Sequence, residues 1–157
     1  MMKKIVVGIL LISGLLYSYS MDYTRDATCL VRHLKVYENP KWVAKVELRN
    51  GKTVFFSSPK SMFEFYHRPG KWYELGVKSE EDFKDIVVTD LTTLKPIDAK
   101  GAFFVYGSSV TSPAGDDLPA FSSYESAKEF SKTYHGSRVL NFHEVSSGLI
   151  KLINGNI

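Results

Sequence analysis

Cysteine is nearly absent: Cys29 stands alone among 157 residues, so no internal disulfide can staple the fold. Long hydrophobic runs are missing as well. The longest, Ile5 to Leu16, covers about 12 positions before Tyr17 and Ser18 interrupt it, short of the roughly 20 that a membrane-crossing helix needs. No strong excess of one charge exists, because 20 Lys and Arg face 17 Asp and Glu for a formal net charge of +3. With no aromatic-basic motif of a binding module, nucleic acid is not an expected partner. The chain also has no Gly-x-Ser-x-Gly nucleophile elbow and no acid–base pair at catalytic spacing, which points away from an enzyme.

What is present begins with Lys3 and Lys4, the apolar run behind them and the small-residue pattern Ser18-Tyr19-Ser20. These features read as a secretory signal peptide, residues 1–20, cleaved after Ser20. Its removal takes away two lysines and no acid, so the mature charge falls from +3 to +1. A lipid-anchored precursor would carry its cysteine directly behind the apolar run. Cys29 instead follows the polar stretch "MDYTRDAT", so the expectation is periplasmic export with no stable membrane anchor after cleavage. In an oxidising compartment the lone thiol is either buried and inert, paired with another chain, or bound to something soft.

A self-comparison yields the most specific structural signal. "FSSPKSMFEF", Phe56 to Phe65, matches "FSSYESAKEF", Phe121 to Phe130, at a constant offset of 65 and with six of ten positions identical. Ser57-Ser58 and Ser122-Ser123 stand where helix caps belong, Glu125 fits a capping box with Ser122, and Pro59 suits a first helical turn. Met62, Phe65 and Tyr66 share one face of the first helix, and Ala127, Phe130 and Tyr134 share one face of the second. Gly70 and Gly136 stand as stops. Two strand candidates precede each helix and one follows it, with Asn50-Gly51 as the hairpin turn of the first set. The reading is α+β: two ββαβ half-domains related by an internal repeat, at residues 29–90 and 91–145, between an N-terminal tail (21–28) and a C-terminal tail (146–157). In the second half the hairpin turn has become a ten-residue loop, Ser108 to Asp117.

The stretch Val88 to Val145, with its order Asp90-x-Thr92-Thr93, Asp98-Ala99, aromatic strand, Gly107-Ser108, Pro113-x-Gly115 loop and Gly136-x-Arg138-Val139-Leu140, resembles the nitrous oxide reductase accessory protein family, NosL. With "NPKWVAKVEL" upstream, the resemblance extends over about Cys29 to Val145. It implies a fold of paired ββαβ units, and a periplasmic, copper chaperone-like protein that binds Cu(I) and serves nitrous oxide reductase or its maturation machinery. Cu(I) prefers thiolate and thioether donors, with imidazole as a workable third.

Two of the family's soft ligands are missing. Its "CGM" cysteine stands eight residues before the proline of the "PKW"-type segment, and counting back from Pro40 reaches Arg32, so Arg32-His33-Leu34 replaces it. Its "PMG" loop is Pro113-Ala114-Gly115 here. Only the family's second cysteine position, three residues earlier, is kept, as Cys29. Cys29 and His33, four residues apart, fall on one face of either a strand or a helix and are the candidate metal ligands, although the charge of Arg32 opposes a nearby Cu⁺. Met62 reads as core, and His67, His135 and His143 as helix-end or strand residues. Two functions stay open: a copper-handling accessory protein with an altered Cu(I) site, or a metal-free paralogue that works as a protein-interaction module.

Overall fold

In the computed structural model, which describes residues 17–156, the turn expected at Asn50-Gly51 joins β1 (Ala44–Leu48) to β2 (Thr53–Phe56). Gly51 takes a left-handed φ of +89° and donates its N–H to the Leu48 carbonyl, while the Leu48 N–H donates to the Lys52 carbonyl. This is a three-residue hairpin closure, whose last position favours glycine. β3 (Phe83–Thr89) pairs with the other side of β1 and β4 (Pro96–Asp98) with β3, so the first sheet runs β2-β1-β3-β4. The second sheet is β6-β5-β7, built from β5 (Phe103–Tyr106), β6 (Ala120–Phe121) and β7 (Arg138–Asn141). All ladders within the two sheets are antiparallel. Helices α1 (Pro59–His67) and α2 (Tyr124–Thr133) follow β2 and β6, and α3 (Ser147–Ile153) comes last. The class is α+β.

Several local expectations are realised with a shift. The caps are Ser58 and Ser123, whose hydroxyls accept from the N–H groups of Ser61 and Ser126. The capping box expected between Ser122 and Glu125 therefore does not form. Pro69, rather than Gly70, follows the end of α1. Beyond α2 it is His135 that takes the left-handed φ of +58°. Gly136 answers a different need: a Cβ there would lie 2.5 Å from Ser131 Oγ and 2.6 Å from Val105 Cγ1. β4 lies past residue 90 in the chain yet completes the first sheet, and the stretch read as a C-terminal tail carries α3, with Ile150 buried. The expected leader lies outside the described residues except for its last four, where Tyr17 Oη donates to Asp85 at 2.9 Å.

Asp90 joins the two sheets. Its carboxylate accepts from Thr92 N–H (2.8 Å), Thr93 N–H (3.1 Å) and Ser122 N–H (2.8 Å), and the Leu91 N–H donates to the Ala120 carbonyl at 2.9 Å. Burial alone would raise this carboxyl, but the hydrogen bonds from Ser122, Thr93 and Thr92 hold it below its usual value. The Asp-x-Thr-Thr motif is thus a turn that ties the end of β3 to the start of α2.

The two helices occupy different places because they differ at matching positions. In α1, Met62, Phe63 and Phe65 are all buried, and Phe63 packs its ring 4.9 Å from Phe104 of β5 and 5.0 Å from Phe142. Phe65 lies 5.5 Å from Phe56 on β2 and 5.5 Å from Phe83 on β3. α1 is therefore packed between the sheets, and a single core runs through both. At the offset of 65, Phe63 corresponds to Lys128, which is exposed. α2 buries only Ala127 fully and covers the outer face of the second sheet through a small cluster with Val105 and Phe121.

Phe63→Ala should accordingly destabilise the fold by about 3–5 kcal/mol, the range for emptying a buried aromatic site. Lys128→Ala should shift stability by no more than about 0.5 kcal/mol. Urea unfolding of both variants checks the contrast.

Candidate metal site and a buried ion-pair network

Residues Thr28 to Lys35 form a tight turn laid along the edge of the first sheet. Thr28 bridges Lys35, Cys29 N–H donates to the Leu34 carbonyl at 2.8 Å, and His33 N–H donates to the Cys29 carbonyl at 2.9 Å. Leu30 N–H donates to the Phe55 carbonyl at 2.9 Å, which fastens the turn beside β2. His33 adopts a left-handed φ of +60°, a conformation tolerated more readily by histidine than by branched residues. Cys29 is completely buried, and its Sγ accepts a hydrogen bond from the Arg32 N–H at 3.3 Å. His33 is exposed. Both residues line one surface cleft of about 480 Å³, together with Asp26, Thr53 and Phe55. Among the described residues, no set of three or more His, Cys, Asp and Glu converges in a way that could hold a metal ion. The cleft thus offers two candidate donors, one of them inside the core.

Arg32 points away from that cleft, into an ion pair. Its Nη2 donates to Asp116 Oδ1 at 2.8 Å and its Nε to Asp116 Oδ2 at 3.3 Å. Asp116 also accepts from Ser58 Oγ and Ser61 Oγ, both at 2.9 Å, and Lys60 Nζ lies 3.6 Å from Oδ1. Lys60 itself is 1% exposed; it reaches Glu64 at 3.2 Å and hydrogen-bonds Asn154, beyond α3. Burial would raise the Asp116 carboxyl, but the Arg32 hydrogen bonds, the Lys60 charge and the Ser61 and Ser58 hydroxyls together hold it below its usual value. The carboxylate sits beside the N-terminus of α1, where a negative charge is favoured.

This network joins the segment of Arg32-His33-Leu34 to the loop that carries Pro113-Ala114-Gly115. Arg32 and Asp116 are 84 residues apart in sequence. Next to them, Leu34 and Pro113 line a small cavity of about 100 Å³ with Val36, Asn39 and Ser57. The electrostatic objection to a cation near Arg32 is weakened, since the guanidinium is already matched by a carboxylate.

The remaining candidates separate cleanly. Met62 is fully buried in the core. His67 donates its Nε2–H to the Val145 carbonyl at 2.7 Å and stacks on Phe63; it shares a second cleft, of about 500 Å³, with His143, Tyr66 and Glu80. Burial pushes the His67 pKa down, outweighing the Val145 carbonyl and the Glu80 charge. His135 is exposed at the end of α2. Sequence reasoning passed over Ser57 and Lys60, whose Ser-x-x-Lys spacing is a nucleophile signature in some hydrolases. Among the described residues the buried Ser57 hydroxyl has no hydrogen-bond partner, while Lys60 is committed to Asp116, Glu64 and Asn154, so the two do not form a nucleophile–base pair. Asp116, the centre of the site, was also missed, having no motif of its own beyond its place at the end of a long loop.

Asp116→Ala leaves Lys60 and Arg32 without their shared counter-charge and should cost about 3 kcal/mol, the low end for breaking a buried pair because Arg32 is partly exposed; chemical denaturation measures it. A second expectation concerns pH. The folded state resists protonating His67, so the unfolded chain takes up the proton first as pH falls below about 6.5. Stability should therefore decline from pH 7.5 to pH 5, and His67→Gln should flatten that slope.

Comparison with known proteins supplies the context for this geometry. No curated protein matches the chain. The crystal structure of the copper chaperone NosL from Shewanella denitrificans superimposes with a TM-score of 0.70 at 23% identity, covering 84% of this chain and 98% of that one, a likeness that establishes a shared fold. The NosL family model matches residues 20–150. That match takes in both sheets, α1, α2, the Cys29 turn and the Asp116 loop, and by it the chain belongs to the NosL family.

Proposed function

We propose that this protein is a periplasmic Cu(I)-handling accessory factor, a carrier rather than a catalyst, that serves the maturation of nitrous oxide reductase. Copper is its cargo, and the altered site uses Cys29 and His33. The observation that supports this reading most is that both residues line one cleft, on the turn that carries the family's motif position. A thiolate and an imidazole are chemically suited to Cu(I). Two donors leave coordination open for a ligand from the acceptor, which suits a protein that hands its metal on. Export by a leader cleaved after Ser20 accords with this role, and no helix among the described residues is long and apolar enough to cross a membrane.

A second reading, a metal-free interaction module, draws on a different observation: Arg32, where the family has a ligand cysteine, is committed to Asp116, and Ala114 stands where the family has methionine. An anaerobic Cu(I) titration of residues 21–157 against a chromophoric chelator separates the two. On the copper reading the protein competes for one equivalent, and Cys29→Ala and His33→Ala each weaken binding tenfold or more. Equal affinity in all three proteins removes the proposed site, and failure to compete favours the interaction module.

A further inference from the structure

Cys29 belongs to a chain in which its sulfur has no access to water, yet it lies only one turn below the surface. The N–H of Arg32 points at the sulfur, so the segment from Leu30 to His33 forms part of what shields the thiol. The backbone hydrogen bonds within the turn, from Cys29 to Leu34 and from His33 to Cys29, keep its shape. The Leu30 N–H bond to the Phe55 carbonyl fastens the start of the segment to β2, but among the described hydrogen bonds no backbone group of the tip, residues 31–33, reaches another element. Among the described hydrogen bonds, the only side-chain tie from residues 30–34 to a distant element is the pair of bonds from Arg32 to Asp116.

The two ends of that tie are anchored unequally. Asp116 would keep Ser58, Ser61 and Lys60 as partners if Arg32 let go. Arg32, with about a third of its side chain already in water, would regain full hydration on moving into solvent. The loop of Asp116 is also held internally, since Ser112 N–H donates to the Asp116 carbonyl at 2.8 Å and Asp116 N–H to Ser112 Oγ at 3.2 Å. Opening at this point therefore moves the Cys29 turn and leaves the loop and α1 in place. We infer that the Arg32–Asp116 ion pair is a latch: closed, it seals Cys29 in the core, and released, it lets the tip, residues 31–33, lift and exposes the thiol.

The latch is a property of the turn and holds whether or not copper is the cargo; its bearing on metal transfer rests on the copper reading. A partner with an acidic residue or another competing anion near Arg32 would release it, coupling docking to exposure of the sulfur.

The single cysteine makes the test direct, because every alkylation event reports on Cys29. Iodoacetamide labelling of the native, metal-free protein is followed by intact mass for the unaltered sequence, Arg32→Gln, Arg32→Lys and a control, Phe130→Ala, whose ring lies in the cluster behind the second sheet. Each variant's stability is measured in parallel. Arg32→Gln should label at least tenfold faster, with Arg32→Lys in between because it keeps the charge and loses the fork. The amide at position 32 should exchange faster with solvent as well. Labelling of Arg32→Gln at the original rate overturns the latch. So does acceleration no greater than in Phe130→Ala at matched stability, since the thiol would then be reached through global unfolding. Should Arg32→Gln fail to fold, the same two criteria apply to Arg32→Lys. No copper enters the measurement, so a failed copper titration and a failed latch are separate results.

Discussion

Asp116 keeps its charge in the interior because a guanidinium, an ammonium and two hydroxyls converge on it. An isolated carboxylate in that position would lose several kcal/mol of hydration, so three segments are drawn together on it, the Cys29 turn for as long as Arg32 stays engaged. Those segments are the Cys29 turn through Arg32, the start of α1 through Ser58, Lys60 and Ser61, and the long loop that carries Asp116 itself. Through Lys60 and Asn154 the constraint reaches α3. Parts of the chain that no backbone ladder connects are thereby held in one arrangement. Hydrophobic burial supplies most of the stability of such a fold, but it does not choose a register for exposed turns; directional, charged contacts do.

The two helices show how similar local sequence is put to different use. Both start with a serine cap on the third residue downstream and both follow a hairpin. In the first, Phe63 adds a second apolar face, so the helix can be covered on both sides; in the second, the matching Lys128 must face water. That difference, with Met62 in place of Ala127, accompanies the burial of the first helix and the exposure of the second. It also leads the core through α1 into both sheets, while the cluster under α2 stays small.

Much of the fold was legible in the sequence, since strand alternation, the Asn-Gly turn and serine caps are local signals. The two strands expected before each helix and the one after it appear as β1, β2 and β3 around α1 and β5, β6 and β7 around α2, and the second serine of each anticipated pair is the cap. What could not be read depends on contacts across the chain. α3 is short and was taken for a tail, because its burial comes from docking on α1 rather than from its own pattern. Gly136 looked like a helix stop, but its need is for closeness to Ser131 and Val105. At the candidate site, Cys29 and His33 were legible as residue types, and the structure places them on one cleft. Arg32 was read only as a lost ligand and Asp116 was not read at all. Their meaning lies in a pairing over 84 residues, for which a single sequence carries no local signal.

Complete burial of the only thiol has a chemical consequence beyond binding. Oxidation of a thiol to sulfenic and higher acids, like its exchange with other disulfides, follows thiolate access. A molecule whose sulfur is covered by one short turn can persist in oxidising surroundings without linking to a second copy. Its shelf life there is set by how often that turn lifts, a frequency written into a handful of contacts rather than into the stability of the whole fold.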